Sequence, residues 1–183
     1  MSMPISKRRL EEDRREGAIH EGNFCRLMHG LGYWTYRYQA MKVTGSVVLE
    51  RGDEKIILPD VWLIKSPTFE FYAEVKGKTH TYGVYAPENC FGLERYRLES
   101  ALKLAELVPA LVMYVIYHKK NKEDLNGTVE QWVWQDFKIL ARKIYEERWG
   151  ESYVAGEVKE VPICYWKKEE FVPLVKNGKL NIP

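Results

Sequence analysis

The chain has 183 residues, of which 45% are hydrophobic and 30% charged, and its 28 Lys and Arg against 26 Asp and Glu give a formal net charge of +2. This length and apolar fraction predict one globular domain over residues 1–183 and exclude a disordered, collagen-like or disulfide-framework chain. The small net charge is unusual for a protein that binds nucleic acid by neutralising phosphates, since such proteins normally carry a basic excess.

Two further sequence patterns, the apolar runs and the cysteines, indicate whether the chain is a membrane, secreted or cytoplasmic protein. The longest apolar run, residues 108–117, is about half of what a membrane-spanning helix needs, and the N-terminal segment has neither the apolar core nor the cleavage site of a signal peptide. Cys25, Cys90 and Cys164 are odd in number, widely spaced and form no CxxC pair. They favour reduced thiols in a cytoplasmic protein and disfavour structural zinc or iron–sulfur sites.

The first half of the chain predicts a helix followed by antiparallel strands. Apolar residues recur at helical spacing up to Leu31, so residues 7 to about 30 should be helical, with residues 1–15 a charged, frayed extension. Gly30 and Gly32 end this helix. A strand is expected at 33–39, and two short strands at 47–49 and 56–58 flank a turn at 51–53.

The remaining elements alternate between helix and strand without regularity. Strands are predicted at 60–64 and 69–76 around Pro67, a second helix at 91–107, a buried strand at 110–118, a strand at 129–134, a third helix at 137–149 capped by Asp136, and a last strand at 161–166 before a C-terminal tail, residues 167–183. Because this order lacks repeated βαβ units, the predicted fold is α/β with a mixed central sheet flanked by helices.

The hairpin around Pro67 carries the most informative pattern. If Ile64 faces Glu70, then Asp60 faces Glu74. Alternation places Asp60, Glu74 and Lys76 on one face and leaves the other face wholly apolar, with Val61, Leu63, Phe69, Phe71, Ala73 and Val75. Opposed like charges destabilise a sheet. A divalent cation between them is the natural means of neutralising them.

Paired carboxylates of this kind suit Mg²⁺ or Mn²⁺, which take oxygen ligands and retain waters that a phosphate can displace. Such an ion polarises a phosphoryl oxygen and activates a bound water. Lys76 shares the face of Glu74 and could orient the attacking water or neutralise charge that develops on the phosphate. The hairpin therefore predicts phosphodiester hydrolysis.

Pro59-Asp60 followed by Glu74-Val75-Lys76 resembles the PD-(D/E)XK motif of restriction-endonuclease-like nucleases. Over about residues 16–118 the chain is most similar to the Holliday-junction-resolvase-like branch, in which a glutamate on the first helix precedes a Gly-aromatic strand start; Glu21 and Leu31-Gly32-Tyr33 match that pattern. The resemblance implies that Asp60, Glu74 and the Val75 carbonyl bind Mg²⁺ or Mn²⁺. It further implies that Glu21 binds the ion directly or through water, that Lys76 is catalytic, and that the protein is a homodimer.

Some features of that superfamily are missing from this sequence. The four-cysteine cluster of some exonucleases is absent, and their glutamine-and-tyrosine motif on the second helix is not clear at residues 94–97. These departures leave the choice between endonuclease and exonuclease open. If Glu21 does not serve the site, Glu16 and His20 are the neighbouring candidates on the same helix.

Candidate contacts to nucleic acid surround the motif. Lys78, His80, Tyr82, Tyr85, Arg95 and Arg97 follow it along the chain or lie on the polar side of the second helix. Taken singly, each is more often an ordinary solvated residue. Most of the tryptophans are expected to pack in the core or on a sheet face.

The sequence as a whole predicts a metal-dependent nuclease acting on DNA, with branched or flapped DNA as candidate substrates. Two alternatives stay open. One is a catalytically inactive nucleic-acid-binding or assembly module of the same fold, and the other is an RNA nuclease.

Overall fold

The computed structural model describes residues 7–38, 47–66, 69–78, 86–121, 123–125, 127–154 and 157–182. Its helices are α1 (Lys7–Gly30), α2 (Arg95–Leu107) and the one-turn α3 (Phe137–Leu140). Its strands are β1 (Trp34–Arg37), β2 (Val48–Arg51), β3 (Glu54–Ile57), β4 (Val61–Ser66), β5 (Phe69–Lys78), β6 (Cys90–Glu94), β7 (Leu111–His118), β8 (Trp132–Asp136), β9 (Glu146–Val154), β10 (Glu157–Lys167), β11 (Val172–Pro173), β12 (Val175–Lys176) and β13 (Lys179–Leu180). Short 3₁₀ turns lie at 129–131 and 168–170.

The central sheet has six strands in the order β1-β4-β5-β7-β8-β11. Strands β5 and β7 are parallel, and the other neighbouring pairs are antiparallel. Smaller sheets form from β6-β10-β9, from β2-β3 and from β12-β13. The predicted mixed α/β fold with a central sheet and flanking helices is confirmed.

The face of the sheet that packs on α1 consists of the apolar side of the β4-β5 hairpin. Val61 pairs with Ala73 and Leu63 with Phe71, the register expected from the sequence. All four side chains are buried with Val75 in one core cluster, and Phe69 packs against it. On α1, residues at i, i+1 and i+4 (Phe24, Cys25 and Met28) complete this cluster.

The opposite face of the sheet packs against α2. Strand β7 is buried on both sides, because alternate residues belong to the two clusters: Val112, Tyr114 and Ile116 face α2, and Met113, Val115 and Tyr117 face α1. A continuous apolar run is typical of such a central strand. The strand predicted at 110–118 is confirmed, within one residue.

The predicted second helix begins four residues too early. Residues 90–94 form β6, which pairs with β10, and α2 begins only at Arg95. Four successive residues of this segment, Cys90 to Leu93, are buried, as in a strand covered on both faces. A Cβ on Gly92 would lie 2.5 Å from the ring of Tyr165, so the strand needs glycine at this position.

The third helix was predicted about nine residues too long. Asp136 does cap it, accepting a 2.7 Å hydrogen bond from the amide of Lys138, but α3 ends at Leu140. Residues 146–154 instead form β9, paired along its whole length with β10. That pairing, which joins nine residues of each strand, outweighs the local helical preference.

Several element boundaries also differ. The last strand covers 157–167 rather than 161–166, the strand expected at 129–134 begins at Trp132, and the first strand is shorter than 33–39. The C-terminal tail is not irregular: Val172 and Pro173 pair with Trp134 and Val133 at the edge of the central sheet. Cys25, Cys90 and Cys164 are free thiols, as predicted. Among the described residues, no helix is long and apolar enough to cross a membrane.

Candidate functional site

Three acidic side chains from three elements are buried near one end of the β4-β5 hairpin. Glu74 lies in β5, Asp60 directly precedes β4, and Glu21 lies on α1; each is only 3% exposed. Extending the observed register by one pair places Asp60 opposite Glu74, as the sequence predicted. Electrostatic influence of Asp60 on both glutamates joins the three into one site.

Lys76 lies between the two strand carboxylates. Its Nζ is 3.0 Å from Asp60 Oδ2 and 2.7 Å from Glu74 Oε1. Since both oxygens are this close to one nitrogen, they are at most 5.7 Å apart. Two oxygens at this separation can be bridged by one metal ion with ligand distances of about 2 to 2.5 Å after a small adjustment.

The backbone holds the Asp60 carboxylate in place. The amide of Val75 donates a buried 2.9 Å hydrogen bond to Asp60 Oδ2, the oxygen that also accepts from Lys76. A carboxylate fixed by an amide of the neighbouring strand loses little conformational freedom when it binds a ligand. The Val75-Asp60 bond therefore couples the position of the carboxylate to the hairpin register.

Arg97 supplies a second cation to Glu74. It lies in the first turn of α2, its side chain is 17% exposed, and its guanidinium donates a 2.7 Å hydrogen bond to Glu74 Oε1. The sequence predicts that Arg97 contacts nucleic acid. In the structure Arg97 is in direct contact with a proposed metal ligand, and its contact with nucleic acid stays a prediction.

Glu21 has a basic partner of its own, on β1. Arg37 lies 3.0 Å from Glu21 Oε2 and also donates to the carbonyl of Ala18. No motif in the sequence marks Arg37 as a residue of this site. Its role depends on the pairing of β1 with β4, which brings Arg37 opposite Val61 and beside α1, and no local motif indicates that pairing.

Burial and the charge of Asp60 raise the pKa values of the two glutamates, Glu21 and Glu74. Desolvation by burial and the charge of Asp60 raise the pKa of Glu21 to about 7, against the opposing effect of Arg37. Burial likewise raises the pKa of Glu74, and Arg97 and Lys76 oppose it. Burial lowers the pKa of Lys76, but the carboxylates of Asp60 and Glu74 outweigh it and raise that pKa. The site therefore holds acids whose ionisation depends on nearby cations.

The donor set fits Mg²⁺ or Mn²⁺ through two carboxylates, because these ions need few protein ligands and retain several waters. Within the described ranges, no group of three or more His, Cys, Asp and Glu side chains is arranged to hold a metal. In the structure Lys76 and Arg97 neutralise the strand carboxylates. An ion could reach the position between Asp60 and Glu74 only if the Lys76 ammonium moved aside.

The other predicted residues lie around or outside this site. Arg95 is exposed and forms ion pairs with Glu147 and Glu99, so it contacts β9 and its own helix. Lys78 is half-buried at the end of β5, near enough to Glu94 to lower the pKa of that carboxyl. His80, Tyr82 and Tyr85 fall outside the described residues.

The two fallback residues on α1 have different surroundings. Glu16 forms a 2.8 Å ion pair with the buried Lys119. His20 is 2% exposed, packs its ring 5.1 Å from that of Tyr117, and lies against Gly77. The charge of Asp60 raises the pKa of Glu21, whereas the charges that act on His20 are those of Lys119, Glu16 and Asp124, so Glu21 remains the candidate on this helix.

Comparison with known proteins gives little at the level of sequence. No family model matches the chain, and no curated protein matches it. Among solved structures it is similar to Hjc, a Holliday junction resolvase from the archaeal hyperthermophile Archaeoglobus fulgidus. The two share 12% identity with a TM-score of 0.46, over 80% of this chain and 86% of that chain.

Proposed function

We propose that this chain is a metal-dependent nuclease that hydrolyses phosphodiester bonds of DNA. The observation that carries the proposal is the bridging of Asp60 and Glu74 by Lys76, at 3.0 and 2.7 Å, on two adjacent strands. These are the three polar residues of the motif identified in the sequence. Their side chains meet at one point of the fold.

A structural role alone explains this arrangement poorly. Burying ionised groups costs several kcal/mol for each ion, and a buried ion pair is often no more stable than apolar residues of similar volume. Asp60 and Glu74 are 3% exposed on a hairpin whose opposite face is entirely apolar. Buried acids whose pKa is raised by desolvation, as for Glu74 and Glu21, are typical of functional sites.

In the proposed mechanism Asp60, Glu74 and the Val75 carbonyl hold Mg²⁺ or Mn²⁺, with Glu21 binding directly or through water. When bound, the ion supplies Lewis-acid polarisation of the phosphate and a more acidic water. Lys76 then orients the attacking water and neutralises charge on the scissile phosphate. The Val75 amide keeps Asp60 in the geometry required for this chemistry.

One observation favours a second candidate function. Each of the three acids already has a basic partner, namely Lys76 for Asp60 and Glu74, Arg97 for Glu74, and Arg37 for Glu21. A site neutralised by its own side chains could belong to a nucleic-acid-binding or assembly module that does not cleave. An RNA nuclease on the same site is the remaining alternative.

Cleavage of labelled substrates by purified protein tests all three. Linear, nicked, flapped and four-way DNA and matched RNA strands are incubated with Mg²⁺, Mn²⁺ or EDTA. The nuclease proposal expects metal-dependent cleavage of DNA by the wild type and its loss in Asp60→Asn, Glu74→Gln and Lys76→Met. Glu50→Gln is the control, because Glu50 is an exposed strand carboxylate paired with Lys55.

Equal activity of the wild type and the three site variants would overturn the proposal. Binding of DNA without cleavage by any of them would favour the inactive module, and cleavage restricted to RNA would favour the RNA nuclease. The predicted homodimer is measured separately by sedimentation. With a net charge of only +2, we expect DNA affinity to depend on the metal and only modestly on salt.

A further inference from the structure

Aromatic side chains cross the central sheet on the face opposite α1. In the observed register Tyr36 of β1 lies opposite Trp62 of β4, and Trp62 lies opposite Tyr72 of β5. Directly opposed residues on antiparallel strands point to the same side. Trp34, two residues before Tyr36, points to that side as well. We call these four residues the aromatic surface.

The aromatic surface is open where it reaches the edge of the sheet. Trp34 is 78% exposed and Tyr36 is 42% exposed. On the other side of the same strands, Val61 and Leu63 are fully buried. Large aromatic rings exposed together at a sheet edge are typical of a binding surface.

The inner rings are held in a fixed orientation. The rings of Trp62 and Tyr72 are within 8° of parallel, with centroids 6.1 Å apart. The indole N–H of Trp62 donates a 2.9 Å hydrogen bond to Glu70 on the neighbouring strand. The outer Tyr36 ring packs edge-on against Tyr38 at 5.2 Å. Rings fixed in this way bind a planar ligand with little further loss of entropy.

The aromatic surface leads directly to the candidate site. The amide of Tyr38 donates to the carbonyl of Asp60, so the next row of the sheet after Tyr36 and Trp62 contains Asp60 and Glu74. Successive rows on one face are two residues apart, about 7 Å. A ligand that stacks on the Trp62 row therefore reaches the carboxylates within about one row.

These features together select unpaired bases as the occupant. Bases stack on aromatic side chains whatever their sequence, and several sheet proteins bind two or three bases in this way. In a duplex the base faces are already covered, because neighbouring bases stack on each other about 3.4 Å apart. This distance is half the spacing between successive rows of side chains on the sheet. The carboxylate of Glu70 on this surface is unsuited to phosphate contacts, so the bases rather than the backbone must face it.

We propose that the aromatic surface binds the unpaired bases of a single-stranded segment of DNA and places the adjoining phosphodiester at Asp60 and Glu74. The inference rests on the proposed nuclease function and specifies its substrate class. Because stacking supplies the affinity, binding should depend less on salt than binding by a cluster of phosphate contacts does.

Fluorescence anisotropy of a labelled oligonucleotide tests the proposal, with the strand offered alone and annealed to its complement. EDTA is present throughout, so that the part of the binding that does not depend on metal is measured without cleavage. The wild type should prefer the single strand, and Trp34→Ala with Tyr36→Ala should weaken binding about tenfold or more. Replacing the same two residues by Phe, which retains the ring faces, should preserve most of the affinity.

Trp149→Ala is the matched control. Trp149 is 71% exposed, nearly as much as Trp34, but lies on β9 in a different sheet. Its replacement should leave the affinity for single strands unchanged. Thermal unfolding of each variant establishes that it is folded.

Three outcomes would overturn the inference: no preference for the single strand, an equal loss of affinity in Trp149→Ala, or unchanged affinity in the Trp34 and Tyr36 double alanine variant. In the last case, dissociation of a dimer on mutation would show that the β1 edge joins two copies of the chain. Metal-dependent cleavage without single-strand preference would refute the inference alone. Single-strand binding through the aromatic surface with no cleavage would refute the nuclease function alone.

Discussion

Arg97 on α2 and Lys76 on β5 both donate to the same oxygen of Glu74, each at 2.7 Å. Glu74 is thus neutralised from two elements at once, and the charge of Glu74 is the largest influence that raises the pKa of Arg97. The position of α2 over the sheet is consequently tied to the charge of one buried acid. Replacing Arg97 should therefore change the stability of the fold, and replacing Lys76 should change the binding of a metal.

Replacing Arg97 by Met should lower the free energy of unfolding by up to about 3 kcal/mol, because it removes one of the two cations that neutralise the buried Glu74 and leaves only Lys76, which is shared with Asp60. Adding Glu74→Gln to Arg97→Met should recover part of this loss, since the carboxylate that needed Arg97 is then absent. Urea denaturation of the wild type, the two single variants and the double variant measures this coupling. Strictly additive effects would show that the contact contributes nothing.

Lys76→Met should separate metal binding from catalysis. In the proposed site a metal would compete with Lys76 for Asp60 and Glu74, so removal of Lys76 should raise the affinity for Mn²⁺ by about tenfold, while cleavage falls by about a hundredfold or more. Titration of free Mn²⁺ by electron paramagnetic resonance measures the affinity. Lys55→Met, which removes an exposed strand lysine paired with Glu50, is the control. Unchanged or weaker Mn²⁺ binding in Lys76→Met would show that the metal and the Lys76 ammonium do not occupy the same position.

Asp60→Asn should abolish activity at little cost in stability. Asparagine retains an acceptor for the Val75 amide, which lies 2.9 Å from Asp60 Oδ2. It also removes the charge that raises the pKa of Glu21 and of Glu74. We expect the free energy of unfolding to change by no more than about 1 kcal/mol and cleavage to fall about a hundredfold or more. A large loss of stability in urea denaturation would make Asp60 primarily a structural residue.

The sequence predicts the arrangement of the candidate site more completely than it predicts the fold. The positions of Asp60 and Glu74 follow from one hairpin, whose register is determined by a wholly apolar face and a short turn. The apolar face fixes the register because a slip of one residue would bury Glu74 against α1. This is local information, and the structure confirms the pairing of Trp62 with Tyr72 on which it depends.

The features that the sequence does not predict depend on contacts between segments far apart in the chain. Residues 137–149 have a helical pattern, but β9 is stabilised by pairing with β10, a partner that lies beyond the local sequence pattern. Arg37 and Arg97 reach the acids only after β1 has paired with β4 and α2 has packed on the sheet. A single charge on a strand or helix is usually solvated, so the sequence does not mark either arginine as the partner of a buried acid.

Because the pKa of Glu21 is raised in the folded protein, we expect the free energy of unfolding to decrease as pH rises. Its pKa is about 7 in the fold against an ordinary value of 4.5, so the folded protein binds more protons than the unfolded chain between these values. The stabilising contribution is complete below about pH 4.5, is lost as pH rises through about 7, and amounts to about 3 kcal/mol. Urea denaturation at several pH values should show this decline, and Glu21→Gln should reduce it. An equal decline in Glu21→Gln would assign the effect to another group.

The raised pKa of Glu21 should also make metal binding depend on pH. If the ionised form of Glu21 contributes to metal binding, the affinity for Mn²⁺ should rise with pH through about 7 in the wild type. In Glu21→Gln the affinity should be lower and the rise smaller. A titration at several pH values, with Glu50→Gln as control, measures both quantities.

Gly77 determines how closely α1 approaches the sheet. A Cβ at this position would lie 2.3 Å from Nε2 and 2.4 Å from Cδ2 of His20, a buried ring confined by Tyr117. Gly77→Ala should therefore lower the free energy of unfolding by about 1 to 3 kcal/mol, the usual cost of overpacking. Because His20 adjoins Glu21 on α1, the displaced ring should also move Glu21 and weaken Mn²⁺ binding.

His20→Ala supplies the test of this interpretation, because it removes the ring that the new methyl group would meet. In the double variant with Gly77→Ala, the loss of stability should be smaller than the sum of the two single losses, and urea denaturation of all four proteins gives the difference. Additive losses would mean that alanine at position 77 acts on the β5 backbone instead. In that case the close approach of α1 to the sheet would not be what positions Glu21 beside Asp60.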